Sequence, residues 1–229
     1  MKAGGHIMKA VIFDMDGLMI NSEEVTFESY QEVLKPMGQS MRREFYISFI
    51  GMTDASITGQ MANEYGEDFP YPEVLKKVHQ LMHDRFEKEG VPLKKGLVEL
   101  LKDLKAHGIK TIVATSSTRN RVNEILTQAN LTQYFDDSIC GDEVEHGKPD
   151  PEVFLKACKK LHVSPNEAIV LEDSEAGIQA ADHAHIPVIC VPDMKYPQDT
   201  YANMTYKICH DLLEVKDLFN NENEKVSYR

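Results

Sequence analysis

The stretch Val11-Ile12-Phe13-Asp14-Met15-Asp16-Gly17 narrows the folds open to this chain more than any other. A short run of large apolar residues without alternation reads as a strand buried on both faces, as in a parallel sheet. The run stops abruptly at two carboxylates. Residues two apart on an extended chain point the same way, so Asp14 and Asp16 are expected to enter one pocket beyond the strand's carboxyl end. That end is where open α/β sheets place their ligands. Gly17 gives the chain a conformation that a side chain would resist. Two carboxylates this close repel unless a cation or shared proton intervenes. Oxygen ligands of this kind suit a hard cation, and Mg²⁺ is the expected one.

The rest of the chain repeats the strand pattern. Lys110–Thr115, Ser138–Cys140, Ala168–Glu172, Val188–Val191 and a weak Lys207–Cys209 read as further strands. Helices are expected between them over 96–107, 119–130, 151–161 and 175–183, with Pro151 suited to a helix start. Strand–helix alternation of this kind means a Rossmann-like, doubly wound parallel sheet covered on both faces. Between the first strand and the rest, helical periodicity runs from Ser22 to about Gly90, with helices expected from 22 to 35 and over 40–50, 53–65 and 72–89. Four helices in succession suggest a small bundle inserted into the α/β core. The expected organisation is therefore a core of residues 8–21 and 92–220 and a helical cap of 22–91, covering the sheet's carboxyl edge. Residues 1–7 read as a leader outside the fold, with Met8 the natural start, and 221–229 as a polar tail.

Composition sets bounds. Of 229 residues, 42% are apolar and 27% charged, enough for a packed core without disulfides. A formal net charge of -12 argues against a nucleic-acid surface, although local Lys or metal can still receive an anionic substrate. Cys140, Cys158, Cys190 and Cys209 form no C-x-x-C pair and read as buried free thiols of a reducing, cytoplasmic compartment. No apolar run is long enough to span a membrane, and no signal-peptide core is evident. The expected partner is a small phosphorylated metabolite, with no nucleic acid and no membrane, and the chain is expected to act as a monomer.

Three further sites fall at or soon after strand ends. Thr115-Ser116-Ser117 presents hydroxyls and backbone N–H groups before a helix N-terminus, an anion site in kind. Gly147-Lys148-Pro149-Asp150-Pro151 offers an ammonium from a proline-stiffened loop, suited to countering phosphate charge. Glu172-Asp173-Ser174 supplies a second acidic pair able to complete a cation site with Asp14 and Asp16. Taken singly, each has a plain structural alternative: a cap, a surface lysine, an acidic turn. Carboxylate pair, hydroxyl pair, lysine and carboxylate pair in this order are hard to obtain by accident.

These segments resemble the four motifs of the haloacid dehalogenase superfamily of phosphohydrolases. The likeness covers the chain after Met8 and is strongest in Phe13-Asp-Met-Asp-Gly-Leu18, Gly147-Lys-Pro-Asp-Pro-Glu152 and Leu171-Glu-Asp-Ser-Glu-Ala-Gly177. A helical insertion after the first motif resembles the cap of the subgroup holding β-phosphoglucomutase and many sugar-phosphate phosphatases. The resemblance implies Asp14 as nucleophile forming an aspartyl-phosphate, and Asp16 as acid and base. It implies Mg²⁺ on Asp14, the backbone carbonyl of Asp16 and Asp173, with Glu172 helping. Ser116, backed by Ser117, would bind the phosphoryl group, and Lys148 would neutralise its charge and orient Asp14. Gly51 is carried over as a substrate-binding position of the cap.

The mutases of that subgroup carry basic residues beside the cap glycine and a histidine in the helix after the first motif. Here Ile50-Gly51-Met52-Thr53-Asp54 has no such basic residue, and Thr26 stands where the histidine would be. Asn21 stands where another aspartate is frequent. Hydrolysis of phosphorylated metabolites, sugar phosphates first among them, is thus the expected activity. A phosphosugar mutase and a non-catalytic metabolite-binding protein are the alternatives. His79 and His83, four apart on one helix, are expected on a solvated face, since no third zinc ligand is evident. Whether Arg42 and Arg43 face substrate or solvent is left open by the sequence.

Overall fold

The computed structural model describes residues 2–3, 6–50 and 54–227. The chain divides into two compact units, one of residues 1–21 with 93–229 and the other of 22–92. In the first unit, β1 (Lys2–Ala3) and β2 (His6–Ile7) pair antiparallel, and β1 lies against the C-terminal helix. These residues were expected to lie outside the fold. The main sheet then begins with β3 (Ala10–Phe13), whose four residues are wholly buried. Each large side chain removed from water there stabilises by about 1.5–3 kcal/mol.

In the second unit the apolar spacing decides the helices. These are α1 (Ser22–Leu34), α2 (Arg43–Phe49), α3 (Asp54–Tyr65) and α4 (Tyr71–Glu89). Tyr71, Val74, Val78, Met82 and Phe86 form one buried stripe along α4 at three- and four-residue spacing. The stripe packs on α1, which buries Phe27, Tyr30 and Leu34. Tyr46 of α2 meets Phe27, Tyr30 and Phe49 at ring-centroid distances of 5.6, 6.0 and 5.1 Å. The expected helix over 40–50 begins only at Arg43. Arg42 is extended, and the Gln31 side chain takes both the carbonyl and the N–H of Met41.

Back in the first unit, α5 (Leu97–Ala106) leads to β4 (Lys110–Ala114), and α6 (Arg119–Gln128) to β5 (Asp137–Ile139). The helix expected over 119–130 stops at Gln128 because Asn130 turns left-handed, φ +53°. Then come α7 (Glu152–Leu161), β6 (Ala168–Glu172), α8 (Glu175–His183) and β7 (Val188–Cys190). Last are α9 (Asp199–Ala202), β8 (Lys207–Ile208) and α10 (Leu212–Ser227). Pro151 caps α7 rather than entering it, and β5 starts one residue before the expected position. The sequence reading did not anticipate α10, which continues through the expected polar tail.

The six strands are parallel, in the order β5-β4-β3-β6-β7-β8. Val11 and Ile12 align with Thr111 and Ile112 on one side and with Ile169 and Val170 on the other. β3 is therefore central, with β6 beside it. One face of the sheet, through Ala10, Ile12, Ile112 and Val170, packs on Val153, Phe154 and Ala157 of α7 and Ile178 and Ala181 of α8. On the other side α5 lies against β4 and α10 against α5. All four cysteines are buried and free. Among the described residues no helix is long and apolar enough to cross a membrane.

Candidate active site

β3 and β6 lie side by side in register, so the residues after Phe13 and Leu171 emerge together. The Asp14 N–H still donates to Leu171 O at 3.0 Å, which fixes the start of the first loop on the end of β6. Gly17 then turns with φ +80° and donates to Ile20 O at 3.0 Å. A Cβ at Gly17 would sit 2.3 Å from Asp173 Oδ2. Glycine is required here twice, for the left-handed dihedral and for the approach of Asp173.

Lys148 joins the two loops. Its Nζ donates to Asp14 Oδ1 at 2.5 Å and to Glu172 Oε1 at 2.6 Å, and its side chain is 6% exposed. The ammonium also lies 5.0 Å from the centre of the Phe154 ring. Glu172 is fully buried, and its Oε2 accepts from the Asp173 N–H, the Ser174 N–H and the Ser174 hydroxyl at 2.9, 2.8 and 2.9 Å. Ser174 in turn caps α8 by accepting from Gly177 N–H at 3.1 Å. A buried carboxylate with this many donors is held in one orientation.

Asp14, Glu172 and Asp173 each bring a carboxylate oxygen within 4.8 Å of the others. Three carboxylates thus face one ammonium. Burial drives the Asp14 carboxyl up to about 7, against the pull of Lys148 and with the repulsion of Glu172 adding to it. Burial also raises Asp173 well above the usual carboxylate range, with Glu172, Asp14 and Asp193 pushing the same way. Lys148 is held above its ordinary value, because Asp14 and Glu172 outweigh the opposing effect of burial. The group has one positive charge against three carboxylates, and the oxygens it offers an ion are all carboxylate oxygens. Both features fit a divalent hard cation such as Mg²⁺.

Asp16 is placed differently from Asp14. Its Oδ2 accepts from Ser117 Oγ at 2.7 Å and its Oδ1 from Arg121 Nη2 at 2.8 Å. The side chain of Asp16 is not one of the three that gather, and Ser117, expected to back Ser116, holds Asp16 instead. Ser116 and Lys148 line a cavity of about 100 Å³ with Thr115, Gly141, Val144, Gly147 and Val153. Arg121 was missed by sequence reasoning. It stands three residues after Thr118, the N-cap of α6, whose hydroxyl accepts the Arg121 N–H at 3.5 Å. A cap fixes which way the first helical turn points its side chains, and that was the only available signal.

The remaining expected positions belong to the second unit or fall outside the described residues. Gly51 falls outside the described residues. Thr26 donates to Ser22 O at 2.8 Å and to Met82 Sδ at 3.2 Å. Arg42 and Arg43 are ion-paired with Glu64 and Glu24 on the surface. His83 faces Glu87 at 3.6 Å, and His79 is exposed. Among the described residues the only group of three or more metal-ligating side chains is Asp14, Glu172 and Asp173. Burial pushes the Cys140 and Cys158 thiols up to about 11, away from nucleophilic chemistry.

The sequence model of the haloacid dehalogenase-like hydrolase family matches residues 11–191. The chain belongs to this family. It is similar to the phosphorylated carbohydrates phosphatase of Thermotoga maritima, with 32% identity over 179 residues, 78% of this chain and 82% of that protein. It is also similar to the validoxylamine A 7'-phosphate phosphatase of Streptomyces hygroscopicus, 32% identical over 184 residues, 78% of this chain and 83% of the relative. Among solved structures, a haloacid dehalogenase-like protein from Agrobacterium tumefaciens superposes with a TM-score of 0.80 at 24% identity. That match covers 94% of this chain and 99% of the other and concerns the fold alone.

Proposed function

We propose that this chain, a phosphatase of the haloacid dehalogenase-like family, hydrolyses phosphoric monoesters of small metabolites, sugar phosphates in the first instance, through an aspartyl-phosphate on Asp14. The observation that carries the reading is the charge arrangement around Asp14. One buried ammonium, on Lys148, fixes one of its oxygens at 2.5 Å and Glu172 at 2.6 Å, so three clustered carboxylates share a single positive charge. A nucleophile held this way is oriented before substrate arrives.

In the first half of the reaction an Asp14 oxygen forms a bond to phosphorus. The bond from phosphorus to the alcohol oxygen breaks, and Asp16 gives that oxygen its proton. In the second half Asp16 takes a proton from water as the water oxygen attacks phosphorus. The bond to Asp14 breaks and inorganic phosphate leaves. The sum is ester plus water to alcohol plus phosphate. Ser117 and Arg121 hold the Asp16 carboxyl group through both halves. Ser116 donates to the phosphoryl oxygens, and Lys148 offsets their charge. Mg²⁺ held by Asp14, Asp173 and the Asp16 carbonyl, with Glu172 behind them, would supply the positive charge that lets a carboxylate meet a phosphate dianion.

The test is to incubate the protein with a hexose monophosphate and Mg²⁺ and follow both products. Inorganic phosphate released without a primer supports hydrolysis. Isomerised sugar phosphate formed only when a bisphosphate is added would instead make the chain a mutase. A screen of phosphorylated metabolites by phosphate release then ranks the substrates.

A further inference from the structure

Asp193 lies just past the end of β7, the strand next to β6. Glu172 aligns with Cys190, and the Val191 N–H donates to Glu172 O at 2.7 Å, so the loops carrying Asp173 and Asp193 leave the sheet side by side. The Asp193 side chain is only 9% exposed. One of its oxygens, Oδ1, accepts from Lys94 Nζ at 2.6 Å. The other, Oδ2, is buried and has no hydrogen-bond partner among the described residues. Burying an acceptor unmatched is costly, and native structures rarely do so without a reason.

Lys94 is itself fixed. Its N–H donates to Met19 O at 2.9 Å, and Leu93 bridges Ile20, so the lysine is anchored to the segment that follows Asp16 and Gly17. An ammonium is a point donor and takes one carboxylate oxygen here, leaving the second directed elsewhere. Asp193 is not one of the three side chains that gather within 4.8 Å, so it stands outside direct reach of a shared ion. Its loop nevertheless leaves the sheet beside the one that carries Asp173. Mg²⁺ keeps several of its waters when proteins bind it, and carboxylates one layer out orient that hydration.

We infer that Asp193, held by Lys94, is a positioning residue for the divalent cation of this site, acting through water with the oxygen that Lys94 leaves unpaired. This rests on the cation reading given under the proposed function. It makes the pair asymmetric. Asp193 contributes to cation binding, whereas the Lys94 charge opposes it.

The experiment measures Mg²⁺ affinity of the full chain without substrate, by calorimetric titration and by competition with Mn²⁺ followed by electron paramagnetic resonance. Asp193→Asn keeps the shape and removes the charge. It is expected to weaken Mg²⁺ binding about tenfold, with a melting temperature in chelator close to wild type. Lys94→Met, or Lys94→Gln if the first does not unfold cooperatively, is expected to bind Mg²⁺ as tightly as wild type or tighter. A merely structural ion pair would weaken binding alike in both variants, and that result overturns the inference. So does an Asp193→Asn protein that binds within twofold of wild type. A wild-type protein that binds no Mg²⁺ would instead remove the cation reading, and this inference with it.

Discussion

Gly177→Ala sets two known effects against each other. Gly177 lies inside α8 and needs no left-handed dihedral. Helix propensity alone therefore predicts that alanine stabilises, by up to about 1 kcal/mol. The packing predicts the reverse. A Cβ at Gly177 would lie 1.9 Å from Glu172 Cδ and Oε1. An ordinary contact of such atoms is about 3.5 Å, so the carboxylate must retreat by about 1.5 Å. Glu172 has four donors at 2.6–2.9 Å, from Lys148, Asp173 and Ser174. Losing two of them, at about 1.5–3 kcal/mol each for bonds to a charged group, outweighs the helical gain and leaves a net loss of about 2–5 kcal/mol. For a chain of this size that is a fall of roughly 5–15 °C in melting temperature. The assay is urea unfolding in chelator with thermal melts beside it, and phosphate release on the same preparations. Activity should fall too, since Glu172 shares Lys148 with Asp14. A variant melting at or above wild type with unchanged turnover would refute the close-approach argument and favour propensity.

Asp14→Asn is expected to lower phosphate release at least about 10³-fold while cooperative unfolding is retained, because the change removes the proposed nucleophile and keeps its shape; substantial residual hydrolysis would contradict the covalent route. Lys148→Met leaves Asp14 and Glu172 buried without their ammonium and should cost about 3–5 kcal/mol in denaturant unfolding. The pH dependence has a definite sign. Asp14 is raised in the folded chain to about 7, so its contribution to stability is full below pH 4 and is lost as pH climbs through 7. Asp173, raised by the same burial, acts in the same sense. In chelator, the stability of wild type relative to Asp14→Asn should therefore decline between about pH 4 and 7, read from melts of both proteins across that window.

Much of the sheet could be read from the sequence because its strands are uninterrupted apolar runs with sharp ends. Val11–Phe13 and Ile169–Leu171 carry no polar residue to confuse the period, and each stops at a carboxylate. Lys148 stood out because prolines flank its loop. What escaped were contacts between side chains with no shared local pattern. Arg121, in the first turn of an amphipathic helix, looks like any solvated arginine until the fold brings Asp16 to it across 105 positions. Lys94 and Asp193 are 99 apart, and neither sits in a motif. The i, i+2 rule placed Asp14 and Asp16 on one side of the chain, but it could not say that Ser117 and Arg121 would take the second carboxylate. Helix ends were missed where one residue decided them, as Asn130 does by turning left-handed. α10 was missed because its apolar stripe, Leu212, Val215 and Phe219, is short and followed by a long polar run.

The centre of the sheet has a consequence for how the chain is made. β3 leaves the ribosome well before its partners, β4, starting at Lys110, and β6, starting at Ala168. Until both have been translated, a strand of four apolar residues has no neighbour on one edge or on either. At roughly 5–20 residues per second, the interval between Phe13 and Ala168 lasts on the order of 10–30 s. The segment that carries Asp14 is therefore locked in place only after this interval, and chaperone dependence during expression should concentrate in that window.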